Sequence, residues 1–364
     1  MKLEKKLYMK RYYKLYVYFK SDRTEKFQLD EEKKLYMPKV TVIIPVYGVE
    51  KYISRCARSL FEQTLDDIEY IFVDDCTKDN SIGVLQEVLE QYPQRREQTR
   101  IVKLLVNSGQ AAARKYGMQL ATGDYIIHCD GDDWVDVEMY DKMWRRAIET
   151  NSDIVFCEFY TTDGVNYSHI HNNLDTLNKE NVLLIIVGRM LWSLCGGLVR
   201  RSIISNNQII YPTANNGEDF AIMIQQIYYA QRFAYIGEPL YYYYVNLNSI
   251  TKEIGLDKYL LRKEQHCANI NIVEKFFERE NVLEKNLDVL LILKLYCRAN
   301  FSTQVRDKNT RMIWYSIYPE LDSKNFLFNN KVPLHLKLYY WAVKLHALSL
   351  YVLFSDLKHK FSKN

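Results

Sequence analysis

The stretch YIIHCDGDDW, residues 125–134, ends an apolar run in three carboxylates, Asp130, Asp132 and Asp133, with only Gly131 between them. Three like charges within four residues repel one another. Such a segment either stays in water as a polar turn, for which Asp and Gly are ordinary residues, or meets a counter-charge. Oxygen-only ligands crowded in this way suit a hard divalent cation. Two more acidic pairs invite the same question. Asp74 and Asp75 close IEYIFVDD, and Glu218 and Asp219 follow Gly217 at the head of an apolar periodic run. Either pair could be the acidic start of a helix, where negative charge is favoured.

The elements that must position these groups follow from the apolar pattern. VTVIIPVY is a short β-branched run of the buried-strand type. EKYISRCARSLFEQ puts Tyr52, Ile53, Cys56, Leu60 and Phe61 on one helical face. IEYIFVDD, RIVKLLVN and DYIIHCD read as further strands, and SIGVLQEVLEQY and GQAAARKYGMQLA as helices between them. Alternation of this kind means right-handed crossovers and a mainly parallel sheet with helices on both faces. Ligands of such sheets bind beyond the carboxyl ends of the strands. Here those ends carry residues 45–47, Asp74 and Asp75, Asn107, and residues 130–133, all on one rim. Further on, DIVFCEFY and EPLYYYYV are strand candidates, residues 179–191 look helical, and a helix opens at Gly217. From about residue 256 the pattern is helical. The reading divides the chain into a basic aromatic extension (1–38), an α/β domain (39–250) and a helical C-terminal region (251–364).

TVIIPVYGVEKYISRCARSLFEQT, IEYIFVDDCTKDNS, NSGQAAARKYGMQLATGDYIIHCDGDDW and GEDF, in this order and spacing, resemble the successive signatures of family 2 glycosyltransferases over residues 40–250. The resemblance implies a GT-A fold, a sugar-nucleotide donor such as a UDP-sugar, and inversion at the anomeric carbon. It implies that Pro45 and Tyr47 line the nucleotide pocket, that Asp75 accepts from the uracil imide N–H, and that Asp74 supports its loop. Arg114 matches the Arg of an Ala-Arg-Asn helix, reaching base or phosphates, or else lies on a solvated helix face. Asp130 and Asp132 match the Asp-x-Asp of the family. Asp132 is the expected metal ligand, and Asp130 faces the ribose or donor sugar with a share in the metal, Mn²⁺ or Mg²⁺. Asp133 orients its neighbours. Asp219 matches the catalytic base, with Glu218 as alternative base or support. Trp192 is a candidate for stacking on a sugar, and Ser249 and Thr251 for a loop over the diphosphate. The sequence departs from the family at Gly48, at Lys115 after Arg114, and in the loop Cys76-Thr77-Lys78-Asp79.

The totals exclude other classes. Of 364 residues, 48% are apolar and 26% charged, a globular composition, and a net charge of +4 is too small to argue for nucleic acid. The seven cysteines are odd in number and form no C-x-x-C pair, so they read as reduced core thiols of a cytoplasmic protein, and zinc is not expected. No signal peptide or membrane-spanning stretch is expected. The first twenty residues carry seven Lys or Arg among Tyr side chains, and residues 333–354 are nearly apolar apart from Lys337 and Lys344. Together they read as an interfacial anchor on anionic lipid, or as a helix packed on the catalytic domain or a subunit contact. The acceptor expected from this is a glycan or a lipid-linked glycan of bacterial surface polysaccharide. The competing functions are a nucleotidyltransferase, which would need a GxGxR loop that is not seen, and an inactive sugar-nucleotide-binding or scaffold protein, against which Asp132 and Asp219 argue.

Overall fold

The computed structural model describes residues 38–345, apart from 173, 175, 180, 190–192, 246–255, 303–304, 306 and 324. Trp192, Ser249 and Thr251, the basic N-terminal segment and the tail beyond 345 lie outside the described residues.

The first half of the sheet is built from β1 (Val40–Val46), β2 (Ile68–Asp74), β3 (Thr99–Lys103) and β4 (Tyr125–His128), side by side in the order β3-β2-β1-β4 and all parallel. Every residue of β2, and every residue of β1 except Pro45, is buried, as strands covered on both faces must be. The crossovers are α1 (Ile53–Phe61), α2 (Ser81–Glu90) and α3 (Gln110–Leu120). The alternating faces of β1 feed two cores. Val40, Val42, Ile44 and Val46 pack with Cys56, Leu60 and Leu85 of α1 and α2. Ile43 packs with Ala113 and Met118 of α3. Gly117 lets α3 settle on β1: a Cβ there would sit 2.4 Å from Ile43 Cγ2.

The sheet then changes character. Beyond β4 come β5 (Trp134–Val135), α4 (Met139–Glu149), β6 (Ile154–Thr162), β7 (Tyr167–Ile170), α5 (Val182–Gly188), β8 (Gly197–Arg200), α6 (Arg201–Ser205), α7 (Glu218–Tyr229) and β9 (Phe233–Tyr244). β8 joins β4 antiparallel, β6 joins β8 antiparallel, β9 runs parallel to β6, β5 pairs β9 antiparallel, and β7 forms a hairpin on β6. The result is one mixed sheet of nine strands.

The helical region comprises α8 (Leu256–Arg279), α9 (Leu287–Ser302), α10 (Lys308–Ser316) and α11 (Leu334–Lys344). It shares a core with α7: Phe220, Ala221 and Ile224 pack with Ile270, Val273 and Phe276 of α8. Ile222, Met223 and Ile227 of the same helix pack on the sheet side. α7, which opens with Glu218 and Asp219, is therefore clamped from both sides. Among the described residues, no helix is long and apolar enough to cross a membrane.

Candidate active site

The loops after β1 and β2 are laced together. Gly48, at φ +67°, donates its N–H to Thr77 Oγ1 at 2.9 Å, Glu50 N donates to Asp79 Oδ2 at 3.0 Å, and Asn80 N returns a bond to Glu50 Oε2 at 2.9 Å. Asp74 accepts from Thr77 N at 2.8 Å and so supports this loop. Tyr47 projects from it, 43% exposed. Asp75 is buried, and its two oxygens accept from Ser108 N at 2.7 Å and Gly109 N at 2.8 Å, fastening the entry to α3. Asn215 accepts from Ala111 N at 3.1 Å. It presses so close to Gly109 that a Cβ there would lie 2.2 Å from Asn215 Nδ2. Asn215 thereby docks the loop before α7 against the start of α3.

Arg114 is the centre of the arrangement. It is fully buried, which excludes a solvated helix face. Its Nη2 donates to Asp130 Oδ1 at 2.8 Å and lies 3.7 Å from Asp219 Oδ1, while its Nε lies 3.8 Å from Glu218 Oε1. Three carboxylates from two distant parts of the chain thus converge on one guanidinium. Arg114 Nε and Nη1 and Asp219 Oδ1 are buried without a hydrogen bond. The sequence held a signal for this burial: Arg114 stands three residues after Ala111 and four before Met118, on the apolar face of α3.

The acidic loop is pinned from β9 and α1. Tyr241 Oη donates to Asp133 Oδ2 at 2.5 Å and accepts from Asp130 N at 3.2 Å, and Tyr244 N donates to Asp133 Oδ1 at 2.7 Å. Arg55 donates to Asp132 O at 3.1 Å and stacks on Trp134, its Cζ 3.6 Å from the ring centroid. Asp133 is buried and orients the loop, whereas Asp130 and Asp132 remain partly open to solvent. Sequence reasoning missed Tyr241 and Arg55, since strand alternation in YYYY does not say which tyrosine finds a carboxylate.

The electrostatics follow from crowding. Burial pushes the Asp133 carboxyl well up, and the charges of Asp130 and Asp132 push further, against the bonds from Tyr241 and Tyr244. Burial also pushes Glu218 well up, with Asp219 adding and Arg114 opposing. Asp219 is raised too, by burial and by Asp130, with Arg114 and Glu218 pulling it down. A surplus of negative charge above one buried cation, with two oxygen-donor side chains still accessible, fits a hard divalent ion. Beside the loop before α7 lies a cavity of about 480 Å³ whose lining includes Asn216, Tyr259, Arg262, Lys263, His266 and Tyr339.

An α/β sheet that gathers nucleotide-pocket and acidic residues on one rim defines a nucleotide-sugar-binding enzyme of GT-A fold. The sequence model of glycosyl transferase family 2 matches residues 41–205. EpsJ of Bacillus subtilis, described as an uncharacterized glycosyltransferase, is 31% identical over 240 residues, 63% of this chain and 68% of its own. A poly(ribitol-phosphate) beta-glucosyltransferase of Bacillus spizizenii is 28% identical over 57% of this chain and 32% of its own. The crystal structure of S. aureus TarS 1–349 in complex with UDP-GlcNAc superposes with a TM-score of 0.58 at 18% identity, covering 85% of this chain and 88% of that one. The chain belongs to glycosyltransferase family 2.

Proposed function

We propose that the protein is a metal-dependent, inverting glycosyltransferase that moves a sugar from a UDP-sugar to a hydroxyl of a surface glycan or its lipid-linked precursor. The observation that carries this is the sharing of Arg114: Asp130, from the donor side of the rim, and Asp219, from the helix opposite, lie 2.8 and 3.7 Å from the same nitrogen. Inversion in one displacement requires a carboxylate facing the acceptor hydroxyl across the anomeric carbon from the leaving group. Asp219 has the unengaged oxygen for this task. Glu218 is driven further toward its neutral form, so it supports the pair and Asp219 takes the proton. Asp132 and Asp130 would hold Mn²⁺ or Mg²⁺. When bound, that ion supplies Lewis-acid neutralisation of the departing diphosphate. Arg114 serves the donor by holding Asp130 in place. Pro45 and exposed Tyr47 flank the base, and Asp75 keeps a second accepting direction on each oxygen for the uracil imide.

The acceptor approaches from the cavity beside α8, whose Arg262 and Lys263 favour a phosphate-bearing chain, the kind of polymer for which the Bacillus spizizenii relative is named. The cytoplasmic membrane face is the working location. α11 buries Leu336, Tyr340 and Val343 in the helical core and exposes Leu334, Leu338, Trp341 and Leu345 as an apolar stripe. One face of this helix is packed, and the other is left for lipid.

The direct test incubates the protein with a panel of UDP-, GDP- and other nucleotide-sugars, with Mn²⁺ or with EDTA, and follows slow donor hydrolysis. Asp132→Ala should abolish metal-dependent UDP stabilisation in a thermal-shift assay while the fold persists. A folded Asp132→Ala protein that still binds UDP in a metal-dependent way overturns the assignment.

A further inference from the structure

We propose that Glu158, His169 and His171 form a second metal site, distinct from the acidic loop, that takes a borderline transition ion of the Zn²⁺ or Co²⁺ kind.

The hairpin of β6 and β7 brings these residues together. His169 and His171 are two apart in extended chain and therefore project to one face. The register pairs Tyr160 with His169, so Glu158 falls across from residue 171 on that same face. The β6–β9 ladder shifts register on both sides of Glu158, an irregularity of the type that re-aims a side chain. One potential ligand atom from each residue lies within 4.8 Å of the other two. Glu158 Oε2 is hydrogen-bonded to His169 Nε2 and lies 3.3 Å from His171 Nδ1, and the imidazole centroids are 3.7 Å apart. Donors around a four-coordinate ion at 2.0–2.2 Å stand roughly 3.4 Å from one another, so a small contraction closes the set.

The surroundings match what metal ligands need. The other oxygen of Glu158 accepts from Tyr235 Oη and from Asn172 N at 2.9 Å, which fixes the carboxylate and aims Oε2 at both imidazoles. Burial works against ionisation of Glu158, but the bonds from Tyr235, Asn172 and His169 outweigh it and hold the carboxyl below its usual range. The ligand is therefore charged, and few protons must leave on binding. His171 is largely exposed, with a side-chain accessibility of 63%, so an ion has an entry path and open positions for water. Both imidazoles cannot donate to one oxygen as side-by-side cations without repelling. A divalent ion takes the place of both protons. Two nitrogens and one oxygen select against Mg²⁺ and Ca²⁺. The cysteines, all free, play no part, so their scatter in the sequence did not bear on this site.

The site is coupled to the active rim through stacked rings. His169 lies 5.3 Å from Tyr160, Tyr160 5.4 Å from Tyr242, and Tyr242 5.4 Å from Trp134, centroid to centroid. An ion here clamps the hairpin beside the strand that holds Asp133.

The test strips the full-length protein with chelator, titrates Co²⁺ and records the visible absorption of the ion, then displaces it with Zn²⁺. One Co²⁺ per chain with a nitrogen-ligand d–d band is expected. His169→Ala and His171→Ala should each weaken binding by at least about 100-fold, since even losing a group that only supports a ligand costs 10–100-fold. Asp132→Ala should leave the band unchanged. Absence of the band, equal affinity in the folded histidine variants, or loss only in Asp132→Ala overturns the proposal. Exposed His171 keeps the test open if His169→Ala fails to fold.

Discussion

Two arginines with almost no exposed surface, one in the sheet domain and one in the helical region, are treated in opposite ways. Arg298, 1% exposed on α9, donates to the carbonyls of Ile317, Tyr315 and Tyr318 at 2.8, 3.2 and 2.9 Å, pairs with Asp322 at 3.1 Å and packs 4.6 Å from the Trp314 ring centroid. It ties the turn after α10 to the helical core. Arg114, 0% exposed, makes one short bond to Asp130 and leaves Nε and Nη1 without hydrogen bonds while three carboxylates press around it. A buried charge whose donors are saturated by carbonyls is architecture. A buried charge left under-satisfied among surplus acids holds electrostatic tension, which is where pKa values shift and chemistry is done.

That contrast can be broken by substitution, and the largest expected effect is at the acid pair. Asp219→Asn should keep donor binding and lower kcat by about 10²–10⁴-fold, the range of a lost general base. Burial and Asp130 hold the Asp219 carboxyl up, so the base gains activity as it loses its proton. The acidic limb of wild-type kcat should therefore stand above the ordinary carboxylate range. Near-normal turnover in Asp219→Asn would move the base to Glu218 or elsewhere.

Matched substitutions at the two arginines sharpen the comparison. Arg298→Met should cost about 3–5 kcal/mol of stability, measured by urea unfolding, because Asp322 and several carbonyls lose their partner. The UDP affinity of the folded protein should stay the same. Arg114→Met should fold, with Asp130, Glu218 and Asp219 taking up protons in place of the lost cation, and lose metal-dependent UDP binding. Equal effects on UDP binding from both variants would erase the distinction.

The smallest effect belongs to the far side of the helical region. Replacing Leu338 and Trp341 together with Ser should weaken flotation with anionic vesicles by roughly tenfold and leave UDP binding intact, since an interfacial helix gains from buried apolar area. Unchanged flotation, or none by the wild type, would assign the stripe to another role.

Several features were legible in the sequence. Alternating β-branched runs and amphipathic stretches marked β1 to β4 and α1 to α3, because a strand buried on both faces has to be continuously apolar and a covering helix has to carry one apolar face. The acidic groups at strand ends followed from that alternation. The second half was less legible. β8, inserted between β4 and β6, lies far from both in sequence, and nothing local in GLVR states that it runs antiparallel. Residues 179–191 read as a longer helix than α5, which spans Val182–Gly188. The pattern in residues 333–354 offered packing or lipid as alternatives, whereas α11 has one face packed and one exposed.

The sequence by itself determined the family, the parallel half of the sheet and the identity of the acidic groups, because these depend on residue type and on periodicities of two and 3.6. Only the tertiary structure decided that Arg114 sits beneath Asp130, Glu218 and Asp219, that Tyr241 orients Asp133, and that Glu158 meets two histidines. Each of these depends on which distant segments the fold brings within a few ångströms, and on how far burial removes the water that would otherwise screen their charges.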